Sequence, residues 1–107
     1  MTRVVVDAGS CGFTAVIEVH RVDAKTVRIV IASDCEMISK WAEQLSPLDW
    51  PSSLGHPEDS FVIKSGLHHI GHVACPIPIA VLKAIEVEVG VAAPKDISIR
   101  FHDTGEE

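Results

Sequence analysis

Three cysteines are the residues of this chain with the clearest capacity for chemistry. Cys11 follows Gly-Ser, Cys35 follows Ser-Asp, and Cys75 precedes Pro-Ile-Pro. They lie 24 and 40 residues apart, so a local CxxC knuckle or finger cannot form. Each lies where the chain is expected to turn or a helix to begin, and a helix N-terminus favours the thiolate. The thiolate binds metals and attacks disulfides, so the pattern indicates a functional site rather than packing.

The elements that must position these thiols begin with strands. Residues 3–7 are rich in Val, and apolar residues alternate along 13–21 and 27–33. A period of two indicates half-buried strands, and residues 22–25 predict a hairpin connection. The first third of the chain is therefore predicted to form an antiparallel sheet.

The spacing of apolar residues then becomes helical. A helix is predicted over residues 35–45, where Ser33-Asp34-Cys35-Glu36 has the form of a capping box with Asp34 as an N-cap, and Pro47 closes it. Residues 48–59 are predicted as a loop, and residues 60–70 as a second, short helix. The thiol of Cys35 would lie at the start of the first helix.

The C-terminal part predicts a longer helix and a last strand. Pro76 and Pro78 can open a helix, and Gly90 is expected to stop it. The stripe predicted to be buried consists of Ile79, Leu82, Ala84, Ile85 and Val89. Alternation over residues 97–101 predicts a final strand, and residues 103–107 are expected to be an exposed tail.

The order of these elements indicates the fold class. Strands, then helices, then one returning strand predict a single α+β domain over residues 1–107. Its antiparallel sheet should have about four strands, with helices packed on one face. Three ligands from three element ends can then converge at one edge of the sheet, where backbone N–H groups of helix starts would stabilise thiolates.

This arrangement resembles the IscU/NifU N-terminal type of scaffold, on which iron–sulfur clusters are assembled. The resemblance covers roughly residues 4–90 and lies in the order, spacing and context of Cys11-Gly12, Cys35 and Cys75. It implies an IscU-like fold, an iron–sulfur cluster or zinc as the bound group, and sulfur-donor or cluster-acceptor proteins as partners. Phe13 and Ala74 stand where that family has Asp and His.

A fourth ligand is needed beside three thiolates. His72, three residues before Cys75, is the first candidate, because an imidazole nitrogen suits both zinc and iron. Asp34 is the second candidate. His68 and His69 complete a short histidine cluster and are further possible site residues, although such clusters often lie on exposed helix faces.

The composition of the chain limits the kinds of partner that it is expected to bind. The net charge is −6, with 15 acidic and 9 basic residues, and two Trp, three Phe and no Tyr offer little base stacking. No basic patch occurs, so nucleic acid is not expected as a partner. No apolar run is long enough for a membrane span, and free thiols in odd number fit the cytoplasm. The positive mean hydropathy leaves a homodimer open.

Three functions follow from these observations. The first is a small metal-binding scaffold, carrier or sensor that uses Cys11, Cys35 and Cys75, with no catalytic residue assigned. The second is a thiol enzyme of sulfur transfer in which Cys75 is the nucleophile. The third is an interaction domain that binds no metal.

Overall fold

An antiparallel sheet forms one layer of the computed structural model, which describes residues 1–106. Its strands are paired in sequence order, β1-β2-β3-β4. They are β1 (Thr2–Asp7), β2 (Thr14–Arg21), β3 (Thr26–Ser33) and β4 (Leu48–Asp49). The α+β class with a four-stranded antiparallel sheet is therefore confirmed.

The alternation of apolar residues separates the two faces of the sheet. Ile17 of β2 lies opposite Val4 of β1 and Ile31 of β3, so one face of the three strands is continuously apolar. Five of its side chains are buried: Ala15, Ile17, Val19, Val27 and Ile29. The other face is open, and there Arg3 donates to Glu18 at 2.7 Å.

Helices cover the apolar face. They are α1 (Glu36–Ala42), α2 (Trp50–Ser53), α3 (Phe61–His69) and α4 (Ile77–Glu88). α1 packs on β3, α4 packs on β1 and β2, and α3 contacts both helices. Trp41 of α1 is fully buried in the resulting core. The short helix predicted over residues 60–70 is confirmed as α3.

Two 3-10 turns, Gly9–Cys11 and Pro57–Asp59, complete the regular structure. None of the helices in residues 1–106 combines the length and the apolar character that crossing a membrane requires.

The predicted last strand is wrong. Residues 97–101 are not in a strand, and their apolar side chains are exposed, Ile99 to 89% and Phe101 to 102%. The alternating pattern is present, but a strand also needs a partner edge, and no pairing to this segment occurs within residues 1–106. The fourth strand is instead β4, whose two residues are too few to show a periodicity.

The predicted start of the first helix is also wrong in detail. Cys35 is the residue that precedes α1, without a side-chain cap, and Asp34 is not the N-cap. Ser33 still belongs to β3, where its hydroxyl donates to the Thr14 carbonyl at 2.9 Å and accepts the N–H of Cys35 at 3.2 Å. The capping box does not form because the hydroxyl of Ser33 is hydrogen-bonded to the neighbouring strand β2.

Two further predictions need correction. Residues 48–59 are not a continuous loop, since they contain β4, α2 and a 3-10 turn. Of the stripe predicted for α4, Ala84 and Ile85 are buried and Leu82 and Val89 partly buried, whereas Ile79 is 46% exposed. Ile77, Ala80 and Val81 are buried as well. Both sides of this helix are apolar, so helical spacing alone could not select the buried one.

Candidate functional site

Cys11 and Cys35 lie at the same end of the sheet. The register pairs Asp7 with Thr14, so residues 8–13, which include Cys11, connect β1 and β2 at this end. Ala15 pairs with Ser33, so β3 ends there as well and Cys35 follows directly. Antiparallel pairing thus brings two thiols together that are far apart in the sequence.

The orientation of α4 brings Cys75 to that end. At the last turn of α4, Glu88 accepts the Thr2 hydroxyl at 2.8 Å and the N–H of Arg21 at 2.9 Å. Thr2 begins β1 and Arg21 ends β2, so the C-terminus of α4 is fixed at the opposite end of the sheet. Twelve helical residues span roughly 17 Å along strands of roughly 20–25 Å. The start of α4 therefore lies near the end that carries Cys11 and Cys35.

These bonds hold the carboxylate of Glu88 ionised. Burial alone would raise the pKa of Glu88, but the N–H of Arg21 and the hydroxyl of Thr2 outweigh it, and the pKa is lowered. The amino group of Met1 lies 3.4 Å from the same carboxylate and acts in the same direction. The hydrogen bonds that fix the C-terminal end of α4 are thus charge-assisted.

The segment before α4 is held against α1. The N–H of Gly71 points to the sulfur of Met37 at 3.3 Å, and Met37 lies in the first turn of α1, two residues after Cys35. The N–H of Cys75 reaches the carbonyl of His72 at 3.4 Å in a turn. Cys35 and Cys75 are both half-buried against the same hydrophobic core.

The thiol of Cys75 is harder to ionise than an ordinary cysteine thiol, because its pKa is raised. Burial is the largest effect and raises the pKa of the Cys75 thiol, which the N–H of Ile77 at the start of α4 partly offsets. Negative charge on Cys11 or Cys35 acts in the same direction as burial and raises the pKa of Cys75. The expectation that the helix start would favour the Cys75 thiolate is therefore wrong, because desolvation and like charges outweigh the helix.

The three cysteines share one end of the sheet, but their side chains do not form a metal-binding group. Among residues 1–106, no three His, Cys, Asp or Glu side chains are arranged to hold a metal ion. Cys11 is exposed in its loop, with its sulfur 4.0 Å from the carbonyl of Ala8. Gly9 and Gly12 flank it with φ of 75° and 78°, so the loop depends on glycine conformations at both ends.

The histidine and aspartate candidates differ in availability. His72 is exposed and lines the same cleft as Cys75, whereas His68 and Asp34 are exposed on α3 and beside Cys35. His69 is already engaged, because its Nδ1 lies 2.9 Å from the carbonyl of Ser65 and its Nε2 lies 2.6 Å from the amide of Gln44. With both ring nitrogens in hydrogen bonds, His69 has a structural role.

Sequence reasoning missed an apolar cleft beside Cys75. It has a volume of about 440 Å³ and lies between α3 and α4, with Ile63, Leu67, Ile70, Val73, Ile79 and His72 among its lining residues. Leu67 and Val73 are 70% and 100% exposed. The sequence contains one signal for this cleft, in Leu67 of α3 and Ile79 of α4. Both are apolar residues on the outer side of a helix whose other side is buried.

The chain was compared with known families, curated proteins and solved structures. A family described as a family of unknown function, DUF6951, matches residues 2–101, which include β1 and the segment after α4. No curated protein and no solved structure matches.

Proposed function

This chain belongs to the DUF6951 family of unknown function, and we propose that it is a small metal-binding protein that holds an iron–sulfur cluster or a zinc ion. Cys11, Cys35 and Cys75 are its ligands. The observation that carries the proposal is their placement at one end of the sheet by three different element ends. The protein acts as a scaffold or carrier rather than as an enzyme.

The chemistry of the donor set supports a soft or borderline metal. Thiolate sulfur is the preferred ligand of zinc and of iron–sulfur clusters. Three neighbouring thiolates repel one another, and a cation between them removes that repulsion. A bound cluster would supply iron and sulfide as cargo, while the protein contributes the ligands and a half-buried setting for two of them.

His72 is the proposed fourth ligand. It borders the same cleft as Cys75 and lies three residues before it, and its exposed ring is free to turn towards the thiols. Asp34 beside Cys35 is the alternative. His69 is excluded from the proposed set because Ser65 and Gln44 hold its ring.

The proposed setting follows from the thiols. Three free cysteines, of which one is exposed, remain reduced in a cytoplasm-like environment, and we place the protein there. A carrier of this kind needs proteins that supply sulfur and proteins that accept the cluster. The cleft beside Cys75 is the apolar surface nearest to the site on which such a partner could bind.

Purification without oxygen tests the proposal. Iron with acid-labile sulfide, or zinc in stoichiometric amount, is expected in the parent protein. Cys11→Ser, Cys35→Ser and Cys75→Ser should each lose the metal, because a hydroxyl is a hard and weakly acidic ligand. His72→Ala should weaken binding less than any serine variant, and His68→Ala, which changes an exposed histidine of α3, is the matched control.

Other results would contradict this function. A parent protein that binds neither iron nor zinc during anaerobic reconstitution has no such site. Full metal content in all three serine variants would show that the metal binds elsewhere. Circular dichroism of each metal-free variant establishes that the fold is retained, since loss of fold would also remove metal.

The cleft favours one alternative, a thiol enzyme of sulfur transfer. In that case the terminal sulfur of a donor persulfide passes to the Cys75 thiolate, which becomes the persulfide, while the donor leaves as a thiolate. The apolar walls beside Cys75 would receive the donor. Metal-free protein that forms a persulfide on Cys75 alone, detected by mass spectrometry, would support this function over the metal site.

A further inference from the structure

The segment after α4 has the sequence pattern of a β-strand but pairs with no strand within residues 1–106. Residues 97–101 read Ile-Ser-Ile-Arg-Phe, and their apolar side chains are exposed to 59% for Ile97, 89% for Ile99 and 102% for Phe101. Three apolar side chains at alternate positions normally face a core. In a single copy of this chain they face solvent.

The end of α4 directs this segment away from the rest of the chain. Gly90 adopts φ of 83°, and the N–H groups of Val91 and Ala92 both reach the carbonyl of Glu86, at 2.9 and 3.2 Å. A second turn follows, in which the N–H of Lys95 donates to the carbonyl of Ala93 at 2.8 Å. The chain measures 51 Å along its longest axis and 29 and 25 Å across.

The outer edge of β1 is the complementary feature. Within residues 1–106, β1 pairs only with β2, so its other edge presents unpaired N–H and C=O groups. Its sequence, Thr-Arg-Val-Val-Val-Asp, contains no Pro or Lys, and the charge of Arg3 is paired with Glu18 of β2 at 2.7 Å. An open edge of six residues matches a five-residue strand in length.

We propose that residues 97–101 of one copy add as a fifth strand to the outer edge of β1 in a second copy. A two-fold axis makes the exchange reciprocal, so each copy donates one strand and accepts one. The product is a closed dimer in which neither β1 edge remains open. This inference does not depend on the proposed metal site.

The two faces of the added strand fit the two faces of the sheet. Ile97, Ile99 and Phe101 would lie on the helix-covered side, next to Val4 and Val6, which are only partly buried against the core. Ser98 and Arg100 would then lie on the open side, which carries the Arg3–Glu18 pair beside the exposed Val5. Addition of the strand would thus complete the cover over the exposed flank of the core.

A second copy is the preferred acceptor because the chain does not fold back on itself. Residues 97–101 follow two turns closed by bonds to the carbonyls of Glu86 and Ala93, and the segment is exposed in the single copy. A partner copy supplies an identical β1 edge without disturbing those bonds.

Sedimentation equilibrium of the whole chain under reducing conditions tests this inference. The parent is expected at twice the chain mass of 11.5 kDa, and Ile99→Lys at the single mass. Ser98→Lys is the matched control, because it places the same charge on the polar side of the strand, and it should remain dimeric. Phe101→Lys is a second variant that is also expected at the single mass. Because Ile99 and Phe101 are exposed in the single copy, both variants should keep the fold.

Hydrogen exchange separates the remaining outcomes. In the parent, amides of residues 97–101 and outward-facing amides of β1 should be protected, and Ile99→Lys should lose that protection. A parent of single mass overturns the proposal, and protected amides in such a monomer would show that the segment binds its own β1. A dimer that persists in both lysine variants overturns it too, since another surface then forms the contact.

Discussion

The carboxylate of Glu88 accepts the backbone N–H of Arg21 at 2.9 Å, across 67 residues of sequence. This bond ties the last turn of α4 to the last residue of β2. Because the helix is fixed at that end, its first turn and Cys75 lie at the other end, where β1 and β2 are connected. The position of Cys75 thus depends on a contact at the opposite end of the domain.

Glu88→Gln should destabilise the protein at neutral pH. The substitution removes the charge from bonds to Thr2 and Arg21 in a side chain that is only 11% exposed, so the expected loss is about 1–2 kcal/mol. The pKa of Glu88 is lowered in the folded protein, so this stabilisation is present above the ordinary value of 4.5 and is lost as the pH falls below it. Urea denaturation of the parent and of Glu88→Gln, from neutral to acidic pH, measures the loss of stability and its dependence on pH.

Glu86→Gln is the matched control in the same helix. Glu86 forms a surface pair with Lys83 at 3.7 Å, so its loss should change stability by less than about 0.5 kcal/mol. An equal effect of both substitutions, or a Glu88→Gln effect that persists in acid, would contradict the anchoring role of the charge.

Gly66→Ala should separate α3 from α4. A methyl group at Gly66 would lie 3.2 Å from Cγ of Pro78 and 3.7 Å from the Trp41 ring. Overpacking of this kind costs about 1–3 kcal/mol, against a gain of about 1 kcal/mol from the helix propensity of alanine. A net loss of stability is expected by urea denaturation. Gly55→Ala, whose methyl group would meet only the Ser52 carbonyl at 3.9 Å, is the neutral control.

Ser65→Ala should destabilise the core around Trp41. The Trp41 indole N–H donates to the Ser65 hydroxyl at 2.8 Å, and that hydroxyl donates to the carbonyl of Phe61. Alanine leaves the buried indole N–H without a partner, which costs about 1–3 kcal/mol. Urea denaturation followed by tryptophan fluorescence measures it. Ser39→Ala removes an exposed hydroxyl of α1 that donates to the Ser33 carbonyl at 3.0 Å, a bond that water can replace, so its loss of stability should be smaller. Equal losses would refute the role of the indole bond.

The strands and the core of the sheet could be predicted because their signal is local. Alternation over β2 and β3 selected the buried residues Ile17, Val19 and Ile29, and the β-branched residues among them favour strands. The placement of the thiols at element ends was likewise visible, from Gly9 and Gly12 around Cys11.

Other features depend on packing that no local pattern contains. Residues 97–101 have a strand pattern, but the pattern does not specify a partner. In α4 the prediction was wrong at Ile79, which is exposed while Ile77 is buried, because the two are equally apolar and only packing decides between them. The protonation of Cys75 depends on burial and on two thiols that only the fold brings near.

Cys75 should therefore react with a thiol reagent more slowly than Cys11 in metal-free protein near neutral pH. Burial is the main cause of the raised pKa of Cys75, so less of this thiol is in the reactive thiolate form, and it is half-buried whereas Cys11 is exposed. Alkylation followed by peptide mass spectrometry gives the rate at each cysteine. Denaturation should increase the alkylation rate of Cys75 more than that of Cys11, because Cys75 is half-buried in the folded protein and Cys11 is already exposed. If Cys75 were the fastest thiol in the folded protein, the raised pKa would be refuted and the sulfur-transfer function would gain support over the metal site.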